Sequence, residues 1–454
     1  MIRFRFAPLA ALLALGTLTA CGGDSADSAT TPAAIPDGTY ARIQRDIIGP
    51  SCASCHTSGS SAARQSQLVL TADSAYLQLV GVPSTQQLAR ADGMLRVKAF
   101  RADSSLLFHK LAWVPGHHSR DYGQLMPSGT TQGLTAGQLE YLRRWIEAGA
   151  PRTGHVVDTT VLRDARLQTA TFTPLDAPAA GAGLQLKVDS FAIAPTTERE
   201  LFVYRRLSNP VDLYVTRIES RMRPGSHHLL LYQFDETKTG FPCNTRPSPD
   251  AVRDIRNADG TPNIANLLPM ACHVFFAGAM TPDFDYRFPP GVALKLPANT
   301  ALDFNVHYVN RAPINLPGQA FANLYTADRS QVSIVARTLN LANTSFTLPP
   351  KQRTTVRTVF PMTTRTTVLG LTSHMHSLGE RYEIHVRRAN GTETTVYTNT
   401  DWEHPGFTNL DVPLVLEPGD ALVSVVTWNN VTDRTVSFGL LSSDEMNIIF
   451  GYAY

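Results

Sequence analysis

The chain has 454 residues, room for roughly three domains of ordinary size. Its 43% hydrophobic and 17% charged content exclude a disordered chain, and 40 basic against 38 acidic residues argue against the basic face of a nucleic-acid binder. Thirty Pro and thirty Gly with few long helical patterns predict β-rich structure, and the one long apolar stretch lies within the first twenty residues, so no polytopic membrane domain is expected.

The N-terminus carries Arg3 and Arg5, an apolar run from Ala7 to Leu18, and small residues before Cys21. A basic start, a short apolar centre and small residues at a cleavage point are the parts of an export signal. Leu18-Thr19-Ala20-Cys21 resembles the lipobox of bacterial lipoproteins. The resemblance implies cleavage after residue 20 and lipidation of Cys21, with no membrane contact beyond that anchor. Residues 1–20 are therefore expected to be a lipoprotein signal peptide. Residues 21–38, small and polar at their start, are expected to be a flexible tether.

Next comes Cys52-Ala53-Ser54-Cys55-His56, the c-type haem attachment pattern. The two thiols bond to the porphyrin and the adjacent His supplies the proximal nitrogen. The sixth ligand is expected from His109, His117, His118 or Met126. Met126 is favoured because Gly123-Gln124-Leu125-Met126-Pro127-Ser128-Gly129 is a loop that resembles the Met-Pro ligand loop of cytochrome c domains. Thr135 and Gln138 then predict a capping box, with Leu139, Leu142 and Ile146 on one helical stripe and Gly149 and Pro151 as stops. The ending of this helix again resembles cytochrome c domains of multidomain bacterial proteins. A small all-α haem domain is expected over 39–152. With Cys52 and Cys55 assigned to haem, Cys243 and Cys272 remain, and an exported protein can keep that pair oxidised.

From about Thr160 the pattern changes to short alternating runs, such as 301–309, separated by Pro and Gly turns. These predict antiparallel sandwiches. Histidines recur in unusual settings: His227 beside His228, His307 inside a strand-like run, and His374 and His376 flanking Met375, with Met446 after Asp444 and Glu445. Residues i and i+2 of a strand share a face, so His374 and His376 can hold one metal. Neighbours face opposite sides, so His227 and His228 can share one only at a strand end or bulge. Imidazole together with thioether suits an ion cycling between Cu(II) and Cu(I), whereas zinc would be expected with carboxylate or thiolate.

The order His227-His228-Leu229, Val306-His307-Tyr308, His374-Met375-His376 and Asp444-Glu445-Met446 resembles the copper type II, ascorbate-dependent monooxygenases. These include peptidylglycine α-hydroxylating and dopamine β-monooxygenase. The resemblance covers about 185–454. It implies two jelly-roll-like copper domains, expected at 160–345 and 346–454. In the first, His227, His228 and His307 would hold an electron-transfer copper. In the second, His374, His376 and Met446 would hold the copper that activates O₂. The resemblance also implies a disulfide between Cys243 and Cys272. Thr372 and Phe450 stand where the peptide-acting enzyme has the Arg and Tyr of its substrate site, so a peptide carboxylate clamp is not expected.

The expected whole is an exported lipoprotein facing the periplasm or cell exterior, with two copper ions and one covalent haem c. Its expected partners are O₂, an organic substrate, and a periplasmic electron donor or ascorbate-like reductant; nucleic acid is not among them. The competing expectation is a copper-binding electron-transfer lipoprotein without oxygenase activity.

Overall fold

The computed structural model describes residues 37–454 apart from 114–121, 124, 129, 131, 170–171, 311–313, 403–404, 440 and 442. The expected signal peptide, nearly all of the tether, Cys21, and the candidate ligands His117 and His118 lie outside the described residues.

The N-terminal part is mostly helical, with one short strand, Gln132–Thr135, paired antiparallel with Leu167–Thr169. Helix α1 (Thr39–Ile43) runs directly into a wider π-helical stretch, Gln44–Ala53. Pro50 sits inside that stretch, where it lacks the N–H an α-helix would use. Short helices α2 (Ser61–Ser66), α3 (Ala75–Leu79), α4 (Gln87–Ala91) and α5 (Leu106–Leu111) follow. Helix α6 (Ala136–Glu147) starts with the expected capping box, Thr135 and Gln138 each satisfying the other's backbone N–H. It buries Tyr141, Leu142, Trp145 and Ile146, and Trp145 packs on Tyr40 at 5.5 Å between ring centroids. Its outer face is laced by Arg143 and Arg144 to Glu140 and Glu147.

Beyond residue 180 the chain is mostly β-structure, with a short helical segment over Ile264–Leu267 and Leu268–Cys272. A five-stranded sheet is ordered Val252–Asp254, Glu198–Arg206, Ala301–Val309, Ser226–Phe234, His273–Ala279. It packs on a nine-stranded sheet. Leu201, Val203, Leu229, Leu231, Phe304 and Val306 from one side meet Val188, Val215, Leu294, Ala322 and Leu324 from the other. A second core, holding Val368, Leu371, Ile384, Val426 and Trp428, lies between the far half of the nine-stranded sheet and a four-stranded sheet. Alternation of apolar residues along strands such as Ala301–Val309 makes this stacking possible.

The two sandwiches share one strand. Ile334–Ala342 pairs in parallel with Val292–Leu296 through Ile334, Val335 and Ala336, then antiparallel with Ile448–Ala453 from Arg337 onward. The halves therefore form one continuous sheet. Tyr452 seals the joint, stacking on Tyr286 at 5.0 Å.

Cys243 and Cys272 form the expected disulfide, 29 residues apart in sequence. It is buried beside Tyr204 and Phe234 at one end of the five-stranded sheet. Replacing both cysteines by Ser should cost about 2–4 kcal/mol, chiefly through the unfolded chain. An equilibrium urea titration checks this: an unmoved midpoint would mean that the bridge contributes nothing.

Candidate metal centre

The strands Ser226–Phe234 and Ala301–Val309 pair so that His228 faces His307. The register slips between His307 and Tyr308, because Tyr308 pairs with Ser226 and leaves His227 as the extra residue. A bulge of this kind re-aims a side chain, and it lets adjacent histidines serve one site. The three rings form a near-equilateral triangle, with centroids 5.0, 5.1 and 5.2 Å apart. One nitrogen from each lies within 4.8 Å of the others, and all three residues are buried. An ion at ~2.0–2.1 Å from each nitrogen would put the centroids about 4.5–5.2 Å apart, so the triangle has the right size for a metal.

Orientation comes from neighbours on the same sheet face. Asp303, Asn305 and His307 alternate along one strand, and all three are buried. Asn305 Oδ1 meets His228 Nε2 at 2.8 Å, and the Asn305 amide donates to Glu200 Oε1 at 3.1 Å. Glu198 holds His307 Nε2 at 3.1 Å. These contacts occupy Nε2 on both rings and leave Nδ1 as the inward atom. His228 Nδ1 is buried with no hydrogen-bond partner among the described residues. Such an orphan costs about 1–3 kcal/mol unless something satisfies it. Burial would depress His307, but Glu200 and Glu198 outweigh it and raise its pKa. Burial would likewise raise Glu200, but His307 and His228 draw it down to about 2. The carboxylates thus supply negative charge beside the place a cation would take.

His374 and His376 sit at the end of the strand Thr366–His374, in the neighbouring sandwich. Their rings are 5.0 Å apart and nearly perpendicular. Met375 between them turns into the core, and a Cβ on Gly379 would come within 2.4 Å of its sulfur, so a side chain there would displace Met375. His376 Nδ1 is held by the Asp444 carbonyl at 3.0 Å, leaving Nε2 free to ligate, and His374 Nδ1 is a second buried orphan. Met446 is 9% exposed and two residues before Ile448, which pairs with His374. Glu445, fully buried, accepts from the N–H groups of His376 and Leu378 and from the Trp428 indole, at 2.8, 2.7 and 2.8 Å. Burial raises its pKa to about 7 against those donors.

The two histidine groups lie close together. Burial comes first in holding His374 well below the usual histidine range, and His376, His228 and His307 add to the effect. Burial similarly pulls His376 down to about 4. Phe450 packs on Phe275 of the first sandwich at 4.5 Å and lies 6.3 Å from His374. Thr372 spends its hydroxyl on the Gly406 carbonyl at 3.1 Å.

In the helical part, Cys52 and Cys55 are free thiols, and the His56 N–H donates to the Cys52 carbonyl at 2.9 Å. One turn therefore carries all three side chains. His56 Nδ1 is engaged by the Leu68 carbonyl at 3.2 Å and by Ser66 Oγ at 3.3 Å, which leaves Nε2. Burial lowers the pKa of His56 and pushes the Cys52 thiol up to about 12. Met126 is half-buried, its N–H donating to the Lys110 carbonyl at 2.7 Å. His109 turns Nε2 onto the Asp103 carbonyl at 2.8 Å.

Glu198, Glu200, Asn305 and Trp402 were not expected from sequence as parts of the site. A signal existed: Glu198 and Glu200, like Asp303, Asn305 and His307, recur at every second position, which places each set on one strand face.

The chain matches no protein-family model and no curated protein sequence. Among solved structures it is similar to one described as the triple jelly roll fold and turret assembly in an archaeal virus. That match has 7% identity and TM-score 0.18 and covers 60% of this chain and 59% of the other. Another is the PBSX exported protein XepA, at 7% identity and TM-score 0.17, covering 62% and 89%. A third is the major capsid protein P2 of bacteriophage PM2, at 9% identity and TM-score 0.19, covering 56% and 97%. Scores this low carry no argument about activity. By its own sheets the chain is mostly β, built of sandwiches, and its buried His227, His228 and His307 can hold a metal ion.

Proposed function

We propose that this chain is an exported, lipid-anchored copper monooxygenase that hydroxylates an activated C–H bond and draws its electrons through a haem c unit on the same chain. The observation that carries the reading is the buried three-histidine triangle together with a second buried pair, His374 and His376, and with Met446 two residues before Ile448, the cross-strand partner of His374. His227, His228 and His307 would hold one copper; His374, His376 and Met446 would hold the other. Imidazole with one soft thioether is the donor set that tolerates both copper oxidation states. Cys52 and Cys55 would carry the haem, with His56 and Met126 axial. Bound copper would supply the O₂ chemistry, and bound haem the single-electron supply.

The chain's own residues do the rest. Glu198 and Asn305 fix the rings of His307 and His228, as outer partners of metal-binding histidines do. The Asp444 carbonyl fixes His376. Phe450 and Phe275 make an apolar wall near His374, and Thr372 offers no charged donor. An uncharged, largely apolar substrate suits that wall better than a peptide carboxylate. Export and lipidation at Cys21 belong to the same proposal, as do the expected domain limits.

Metal analysis of the purified soluble chain tests it. Two copper ions and one covalent haem per chain are expected, with O₂ uptake that depends on an added substrate. Met446→Ile should weaken Cu(I) binding and abolish turnover, because a soft ligand is lost. One copper at saturation, or a Met446→Ile chain with full turnover, would reject the two-copper assignment.

A further inference from the structure

The segment bearing Cys52, Cys55 and His56 leads straight into helix α2, and that helix touches the β-sandwich beside the histidines. Within the segment, Ser60 Oγ donates to the Cys55 carbonyl and caps α2, and Ser66 Oγ meets His56 Nδ1. Toward the sandwich, Arg64 donates to the Ser377 carbonyl at 3.2 Å. The Gln65 amide donates to the Asp401 carboxylate. Ser377 follows His376 in the chain. Trp402 follows Asp401, and its indole packs on His227 at 5.3 Å between centroids. Trp402 therefore comes from the second sandwich yet covers a histidine of the first.

The Asp401 turn is itself tied down. Its N–H donates to Asn399 Oδ1 at 2.9 Å, and the Asn399 amide donates to the Asp401 carbonyl at 2.9 Å. Asn399 is buried and also reaches Ser373 Oγ at 3.4 Å, one residue before His374. A loop anchored this way holds a flat aromatic ring in one place. It differs from the many surface ion pairs of the chain, which fix nothing beyond themselves.

We propose that Arg64 and Gln65 dock the haem-bearing segment on the sandwich and that Trp402 is the contact through which electrons reach the three-histidine centre. This rests on the haem and copper reading above and adds the entry point to it. With both groups bound, each transfer would move one electron from ferrous haem to Cu(II), giving ferric haem and Cu(I), with no bond made and no proton moved. A one-electron reductant in the exported compartment, of the reduced-cytochrome or ascorbate class, then restores the haem. The docked contact replaces a diffusive encounter by a fixed one, which raises the effective concentration of donor at acceptor. Trp402 and the two docking residues are positioning residues, because none of them ligates a metal or touches substrate.

The test uses the full soluble chain with its haem reduced and its copper oxidised, mixed without O₂ or substrate. Haem oxidation is followed by its absorbance and Cu(II) loss by electron paramagnetic resonance. Trp402→Leu should slow the internal transfer about tenfold or more, and Arg64→Ala with Gln65→Ala should do the same by undocking the segment. Trp402→Phe should recover part of the rate. In the parent chain, Cu(II) should quench a component of tryptophan fluorescence that Trp402→Leu lacks. Copper and haem contents are measured on each variant. Rates within twofold of the parent in both the Trp402→Leu and the docking variants would overturn the proposal. So would loss of copper from Trp402→Leu, which would make the ring a structural cover. A parent chain without copper or haem would instead defeat the underlying reading, and the metal count shows this before any rate is taken.

Discussion

Replacing His307 by Ala should empty the three-histidine centre while leaving the His374 and His376 site able to bind. Copper per chain should fall from two to one. Affinity at the damaged centre should drop by more than about a hundredfold, because removing even an outer partner of a metal ligand costs about 10–100-fold. The structure explains the size of the effect. His307 is one corner of the ring triangle, and its cross-strand partner is His228, so its loss leaves only two of the three rings. Asn305→Ala makes the graded counterpart. It removes the acceptor at His228 Nε2 and the donor to Glu200, but keeps all three ligands. It should weaken binding by about 10–100-fold and leave the stoichiometry at two. Titration with copper under a competing chelator reads both. If His307→Ala binds two ions as tightly as the parent, the triangle is not a metal centre.

The contrast between these two variants also marks what the sequence made legible. Alternating runs separated by Pro and Gly turns announced the sandwiches, since period-two patterning is local and survives in the fold. The histidines were legible as well, and the condition placed on His227 and His228, a bulge or strand end, is met by the register slip at Tyr308. Asn305 was readable only in principle: its spacing from His307 puts it on the same face, but nothing local says that a partner strand brings Glu200 to it. Trp402 was not readable at all. Its contact with His227 joins positions 175 residues apart in sequence, on different sandwiches (402 minus 227). The shared strand Ile334–Ala342 was equally hidden, because one stretch pairs first in parallel and then antiparallel with partners on either side of it in the chain.

Glu445→Ala should have the largest effect on stability and should empty the second site without touching the first. The Glu445 carboxylate is fully buried and takes hydrogen bonds from the backbone N–H groups of His376 and Leu378 and from the Trp428 indole. It therefore ties the turn that carries His376 to the four-stranded sheet that carries Trp428. Truncation strands these three buried donors at once, and with them the Met446 N–H, which donates to Oε2 at 3.4 Å. Each unsatisfied donor costs about 1–3 kcal/mol, and partial relaxation with entry of water brings the expected total to about 3–5 kcal/mol. Glu445→Gln keeps the shape but turns an amide NH₂ toward N–H donors, so it should lose about 1–3 kcal/mol. The ring of Trp428 is also stacked on Phe346 at 4.9 Å, so the sheet itself should survive either change. A urea titration should accordingly show a lower midpoint with an unchanged slope. Copper binding should separate the two centres: His227, His228 and His307 lie on other strands and should keep their ion, whereas His376 loses the bond that places its backbone. Retention of both ions by Glu445→Ala, with a midpoint equal to the parent's, would mean that the turn is held by Met375 in the core and not by the carboxylate.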